Sequence, residues 1–275
     1  MTQAFQHPLL RRFIGPDLST LRIGKDKQLG SFGYDAWGYH AESVRWGLAV
    51  VRQLYERYFR VQAFGLERVP EQGRVLIVAN HSGQLPFDGL LLGYALQTNP
   101  HAPRSARALV ERFFPTVPWL GNLLARVGAV IGDPANCARM LRQEEAVIVF
   151  PEGARGAGKP YRSRYQLQRF GTGFMHLAME CDTPILPVGI VGCEESMPSL
   201  GNIAPLARML SVPYIPIAPP FPLPARVSLH IGAPMRFSAD AQDDEAAVEA
   251  RVEQVKSAIR DLVAQGLDAR GDRMF

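Results

Sequence analysis

Apolar residues along this chain come in short unbroken runs separated by longer-period stretches. Residues 75–79 (V-L-I-V-A), 146–150 (A-V-I-V-F) and 184–191 are apolar at nearly every place, as expected of strands buried on both faces. Weaker runs at 59–64, 106–110, 128–131 and 227–231 predict further strands. Between them the period lengthens to that of helices, over 86–96, 117–126, 135–143 and 170–180. Pro86 suits the first turn of the helix it opens, and Asp88 there favours the positive end of the helix dipole. The closing segment, 243–263, places Val248, Val252, Val255, Ile259 and Leu262 at steps of four and three behind Asp243, Asp244 and Glu245. That is a structural amphipathic helix. Strands alternating with helices predict an α/β fold: a mixed, largely parallel sheet flanked by helices.

Two segments stand outside this alternation. Residues 1–35 are punctuated by Gly and Pro and are basic at Arg11, Arg12, Arg22, Lys25 and Lys27. From residue 36 to 58 the pattern turns helical, carrying Trp46, Leu48, Val50, Val51, Leu54 and Tyr58 beside Arg45, Arg52 and Arg57. Such a helix either packs on the domain or lies in a membrane interface, aromatics among headgroups and arginines near phosphates. We divide the chain into an N-terminal helical, membrane-docking segment (1–58) and an α/β domain (59–275). Residues 212–224 hold too many prolines for a helix or central strand. They predict an extended apolar loop, lining a cavity or touching lipid.

Composition narrows the function classes. The 275 residues are 47% apolar and 20% charged, with a net charge of +4, which is globular and mildly basic. That charge suits an anionic membrane surface or a phosphate-bearing substrate. No Lys/Arg run interleaved with aromatics points to nucleic acid. Cys137, Cys181 and Cys193 share no C-x-x-C spacing and read as free thiols in a reducing compartment. The six histidines are scattered, so no metal is expected. The N-terminus lacks the apolar core of a signal peptide, and no apolar run of about 18 residues is present. A peripheral protein on the cytoplasmic face of the inner membrane is the expectation.

Two strand exits carry candidate chemistry. The first delivers His81, followed by the Ser82-Gly83 turn, with Asp88 one loop further on. A histidine there can take a proton from a hydroxyl, and a carboxylate can fix its tautomer and stabilise the imidazolium. The second exit, F-P-E-G-A-R-G, delivers Glu152 and Arg155 between Gly153 and Gly156. The arginine's planar fork suits phosphate. Gly153 to Lys159 also matches G-x-x-x-x-G-K, but Pro160 stands where a P-loop needs Ser or Thr. Ser82 beside His81 lacks a G-x-S-x-G elbow, which argues against a serine hydrolase.

Together N-H-S-G-Q-L-P-F-D-G, F-P-E-G-A-R-G and P-I-L-P-V-G-I resemble the glycerolipid acyltransferase family, in the family's order, from about residue 64 to 237. The resemblance implies that His81 is the general base, Asp88 its partner, and Glu152 and Arg155 acceptor-binding residues. Ser82, Gly83 and Gly153 complete the candidate substrate-binding set. The reaction it implies moves an acyl group from acyl-CoA or acyl carrier protein to a lipid hydroxyl, with no further cofactor. Two departures are visible. Six residues, not the family's four, separate His81 from Asp88. Pro134 stands where a phosphate-binding arginine is expected, with Arg139 and Arg142 as possible substitutes on the following helix. The second departure favours a neutral alcohol, including diacylglycerol, as the alternative acceptor; a non-catalytic lipid-binding protein on the same scaffold is the other alternative.

Overall fold

Strand β2 (Val75–Ala79) is wholly apolar because it is covered on both sides: Val75, Ile77 and Ala79 enter one buried cluster, Leu76 and Val78 the other. Its neighbours β5 (Ala146–Val149) and β6 (Ile185–Val191) divide in the same way. A computed structural model of the chain describes residues 23, 27–81, 86–112, 119–203, 217–239 and 244–271. Among the described residues seven strands form one sheet, completed by β1 (Gln62–Phe64), β3 (Ala106–Val110), β4 (Ala129–Ile131) and β7 (Ser228–Ile231). Their order is β1-β7-β6-β2-β5-β3-β4, parallel throughout except where β7 runs against β6. The expected mixed, largely parallel sheet with flanking helices is what the chain forms.

One face carries α1 (Ala41–Gln53) and α2 (Phe87–Gln97), with α3 (Leu120–Arg126) beside them. The other carries α4 (Pro134–Arg142), α6 (Gly173–Glu180) and the 26-residue α8 (Glu245–Arg270). Two single-turn helices, α5 (Ala154–Ala157) and α7 (Cys193–Ser196), follow β5 and β6. Capping follows the sequence: Asp133 and Asp244 accept from the first-turn N–H groups of Ala135 and Ala247.

Helix α1 shows the packed arrangement. Val44, Leu48, Ala49 and Val51 are buried, and Trp46, Tyr55 and Tyr58 lie against the same core. Aromatic side chains expected among headgroups are thus turned inward from Ala41 to Tyr58, which ends in a π-helical turn, Leu54–Tyr58. Residues 1–22 and 24–26 of the expected docking segment lie outside the described residues. Among the described residues, no helix is long and apolar enough to cross a membrane.

Candidate active site

Asn80 sets the exit of β2. Buried, it donates through its side-chain amide to the Ile190 carbonyl (2.9 Å) and accepts from the Ile190 N–H (2.7 Å). It thereby stitches β2 to β6 past the last ladder bond and fixes where the next residue points. That residue is His81. Its ring Nδ1 lies 2.6 Å from Oδ2 of Asp88, a fully buried carboxylate in the first turn of α2. The six-residue spacing therefore still brings the two side chains together. Asp88 Oδ1 accepts from the Gly89 N–H at 2.7 Å. With Nδ1–H donating to Asp88, Nε2 is left as the imidazole's acceptor. Phe150 stacks on the ring, centroids 4.7 Å apart.

Burial pulls the His81 imidazole towards the neutral form, but the Asp88 carboxylate, then Glu152 and Glu111, outweigh it. The net effect raises its pKa above the ordinary histidine value.

Glu152 is also buried, and both its oxygens are committed to the chain. Oε1 accepts from the His81 backbone N–H (2.9 Å) and Oε2 from the Gln168 N–H (2.7 Å), with Lys159 Nζ at 3.5 Å. In this structure Glu152 braces the two strand exits. Short helix α5 presses against the pair so closely that a Cβ on Gly156 would come within 2.7 Å of Glu152 Cβ and 2.9 Å of His81 Cβ. Gly153 takes a left-handed φ of 55°, natural for glycine. Arg155 is exposed on α5 and reaches the Arg169 carbonyl at 3.4 Å. Ser82 and Gly83 lie outside the described residues.

Lys159, the invariant lysine of the P-loop pattern, is neither solvated nor open to a ligand: buried, it pairs with Glu194 at 3.0 Å and reaches towards Glu152. Nor does α4 replace the missing arginine. Arg139 lies over the Trp37 ring and Arg142 pairs with Glu180.

Beside His81 a cavity of about 400 Å³ opens between α1, α2 and strands β3 to β5, within the range of ligand pockets. His81, Glu111 and Gly153 stand at one end; Gln97 and Ser105, joined by a 2.7 Å hydrogen bond, stand at the other. Since the lining follows α2 from Phe87 to Gln97, the chamber is roughly 15 Å long at ~1.5 Å per residue. Its walls are mainly aliphatic and aromatic, and the described part of the Pro-rich loop takes no part in them. Sequence reasoning found His81, Asp88 and Glu152 but missed Asn80, Phe150 and Glu111. Asn80 precedes His81 directly and Phe150 stands two residues before Glu152, which was the available signal. Nothing local marks Glu111. Among the described residues, no group of His, Cys, Asp and Glu could hold a metal ion, and all three cysteines are buried and free.

A histidine oriented by a buried carboxylate, at the carboxyl edge of a parallel sheet and above an apolar chamber, defines a class of α/β proteins. Comparison with known proteins resolves the class: the chain belongs to the acyltransferase family, whose model, described as Acyltransferase, matches residues 60–191. An uncharacterised Mycobacterium leprae protein is 33% identical, the match covering 92% of this chain and 72% of that one. An uncharacterised Mycobacterium tuberculosis protein is 38% identical over 76% of this chain and 57% of its own length. The chain thus spans just over half of that relative. In fold it is similar to the crystal structure of the 1-acyl-sn-glycerophosphate acyltransferase PlsC from Thermotoga maritima. The TM-score is 0.53, with 20% identity, covering 84% of this chain and 80% of that one.

Proposed function

We propose that the protein transfers a fatty acyl group from a thioester, acyl-CoA or acyl carrier protein, to a hydroxyl of a glycerolipid or lysophospholipid. The observation that carries this reading is the His81–Asp88 pair, 2.6 Å apart, at the mouth of an apolar chamber of about 400 Å³. Nε2 of His81 removes the acceptor hydroxyl's proton, and the oxygen attacks the thioester carbonyl directly. The tetrahedral intermediate collapses with cleavage of the carbon–sulfur bond. The thiolate leaves with the proton held on Nε2, so ester and free thiol form and His81 returns to its neutral state. Asp88 holds the tautomer and balances the transient imidazolium. Phe150 fixes the ring plane, and the chamber takes the acyl chain. No metal or bound cofactor enters the scheme.

Acceptor chemistry divides into two readings. Arg155, exposed on α5 two residues beyond the chamber-lining Gly153, supports a phosphorylated, lysophosphatidate-like acceptor. The start of α4 supports a neutral one, because Pro134 stands there, Arg112 is paired with the cap Asp133, and Glu111 adds a carboxylate beside His81. A lipid acceptor also favours peripheral contact with the inner membrane's cytoplasmic face.

The test is thiol release from acyl-CoA by the wild type and His81→Ala, against lysophosphatidate, other lysolipids, glycerol 3-phosphate, diacylglycerol and simple alcohols. Turnover by the wild type alone supports the reading, and the preferred acceptor separates its two forms. Equal rates in both proteins, or none in either, overturn it.

A further inference from the structure

The described part of the Pro-rich segment, residues 217–224, does not line the chamber; it builds an apolar patch on the same edge of the sheet as His81. Leu200 and Ile217 pair through backbone hydrogen bonds, Leu200 N–H to the Ile217 carbonyl and Ile217 N–H to Gly201, both 2.9 Å. Leu200 is 81% exposed and Phe221 76%, with Ile203 and Ile217 exposed beside them. Water-facing display of that much apolar surface in one place marks an interaction site.

We infer that the segments 199–203 and 217–224 dock the protein onto an anionic lipid surface, seating the sheet's carboxyl edge, and so His81, against the bilayer. Three observations carry this. The first is place: these segments join β6 to β7 at the edge where β2 and β5 deliver His81 and Glu152. The loop from the site is bonded to them, Tyr161 N–H donating to the Ser199 carbonyl at 2.7 Å.

The second is charge. Arg57, Arg162, Arg164 and Arg226 are exposed, Arg57 and Arg162 next to the residues bonded to the patch (Tyr58 to Pro222, Tyr161 to Ser199), and residues 157–165, 197–203 and 217–226 contain no acidic residue. Glu56, next to Arg57, is paired with Arg52. A basic rim around exposed apolar tips complements anionic headgroups over acyl chains. The third is the backbone itself. An apolar surface entering an interface costs least where few backbone polar groups must give up water. Pro219, Pro220, Pro222 and Pro224 have no N–H to desolvate. Leu223 N–H is bonded to Ser196, and the Pro222 and Pro224 carbonyls accept from Tyr58 and Arg60. The prolines also fix the display at little cost in chain entropy.

The inference rests on the reading that the acceptor is a lipid, but its test needs no turnover. The full chain is sedimented with vesicles of equal parts phosphatidylcholine and phosphatidylglycerol. Leu200→Ser/Phe221→Ser is expected to lower partitioning about tenfold or more, from the apolar area it removes. Each charge lost in Arg162→Gln/Arg164→Gln is expected to lower it by roughly fivefold, and less in high salt. Phe221→Trp, which keeps a bulky ring, is expected to shift its emission to the blue when vesicles are added. Partitioning by the serine variant within about twofold of the parent, or an unmoved emission, overturns the inference. So does a change in oligomeric state without a change in vesicle binding, which would assign the face to a second copy of the chain. Vesicle binding through this face with no thiol release would overturn the proposed function and leave the docking standing.

Discussion

The two faces of the sheet are made from the same alternating strands, yet one is closed and the other hollow. On the closed face α8 presses on β6 so tightly that a Cβ at Gly189 would lie 2.7 Å from Leu262 Cβ and 2.8 Å from the Val263 nitrogen. On the hollow face Gly93 of α2 lines the chamber, and a Cβ there would meet nothing within 4 Å. One glycine lets two elements touch; the other leaves room for a ligand. Burial of the central strands does not distinguish them, since β2, β5 and β6 are buried on both faces. What differs is where a side chain is missing: from strand β6 beneath α8 on one face, from helix α2 above the chamber on the other.

If the hollow face is the working face, the largest effect belongs to the imidazole at its mouth. His81→Ala is expected to lower kcat for acyl transfer by about 10²–10⁴-fold with the fold intact, measured by thiol release and thermal unfolding. The next test fills the hollow. Gly93→Leu is expected to lower kcat/KM for long-chain donors roughly 10- to 100-fold while sparing short ones, since two or three methylenes lose their place at ~0.8 kcal/mol each. The same substitution should stabilise α2 by up to about 1 kcal/mol, because glycine is a poor helix former. A chain-length profile that Gly93→Leu leaves unchanged would show that the acyl group lies elsewhere. On the closed face the sign reverses. Gly189→Ala is expected to cost about 1–3 kcal/mol in denaturant unfolding by forcing α8 outward, with no change in chain-length preference.

Much of this contrast could not be read from the chain. Strands 75–79 and 106–110 were legible to the residue because both are short runs bounded by turn-forming or charged neighbours. The meeting of His81 with Asp88 was legible too, since a strand exit and the next helix start must lie close together. The hollow was not: a cavity is an absence, and Gly93 reads in sequence only as a weak helix residue. Long-range partners were equally hidden. Nothing near Lys159 announces Glu194, thirty-five residues on, and nothing near residue 62 announces that β1 will pair with β7 at the sheet's edge. The closing helix ran on to Arg270, past the predicted end at 263. Its last turns are held by contacts from other segments: Gly266 sits under His230, and Arg270 pairs with Glu195.

The smallest expected effect probes the hollow face most finely. His81 must be neutral to accept a proton, so activity rises with pH as the imidazolium deprotonates. Burial favours the neutral form, but Asp88, Glu152 and Glu111 together outweigh it and hold the pKa above the ordinary histidine value. The acid limb of kcat/KM is therefore expected above that of a free histidine. Asp88 and Glu152 cannot be changed without disturbing the hydrogen bonds that place His81, whereas Glu111 is exposed and acts on the ring through its charge. Glu111→Gln removes one negative charge and keeps the shape, so the imidazolium loses support and the limb moves to lower pH. The variant should then outpace the wild type on the acid side and match it on the alkaline plateau. A limb that moves ties the titrating group to the imidazole at the mouth of the chamber; a limb that stays in place would mean that solvent screens Glu111 from the ring and that Asp88 and Glu152 alone hold its pKa up.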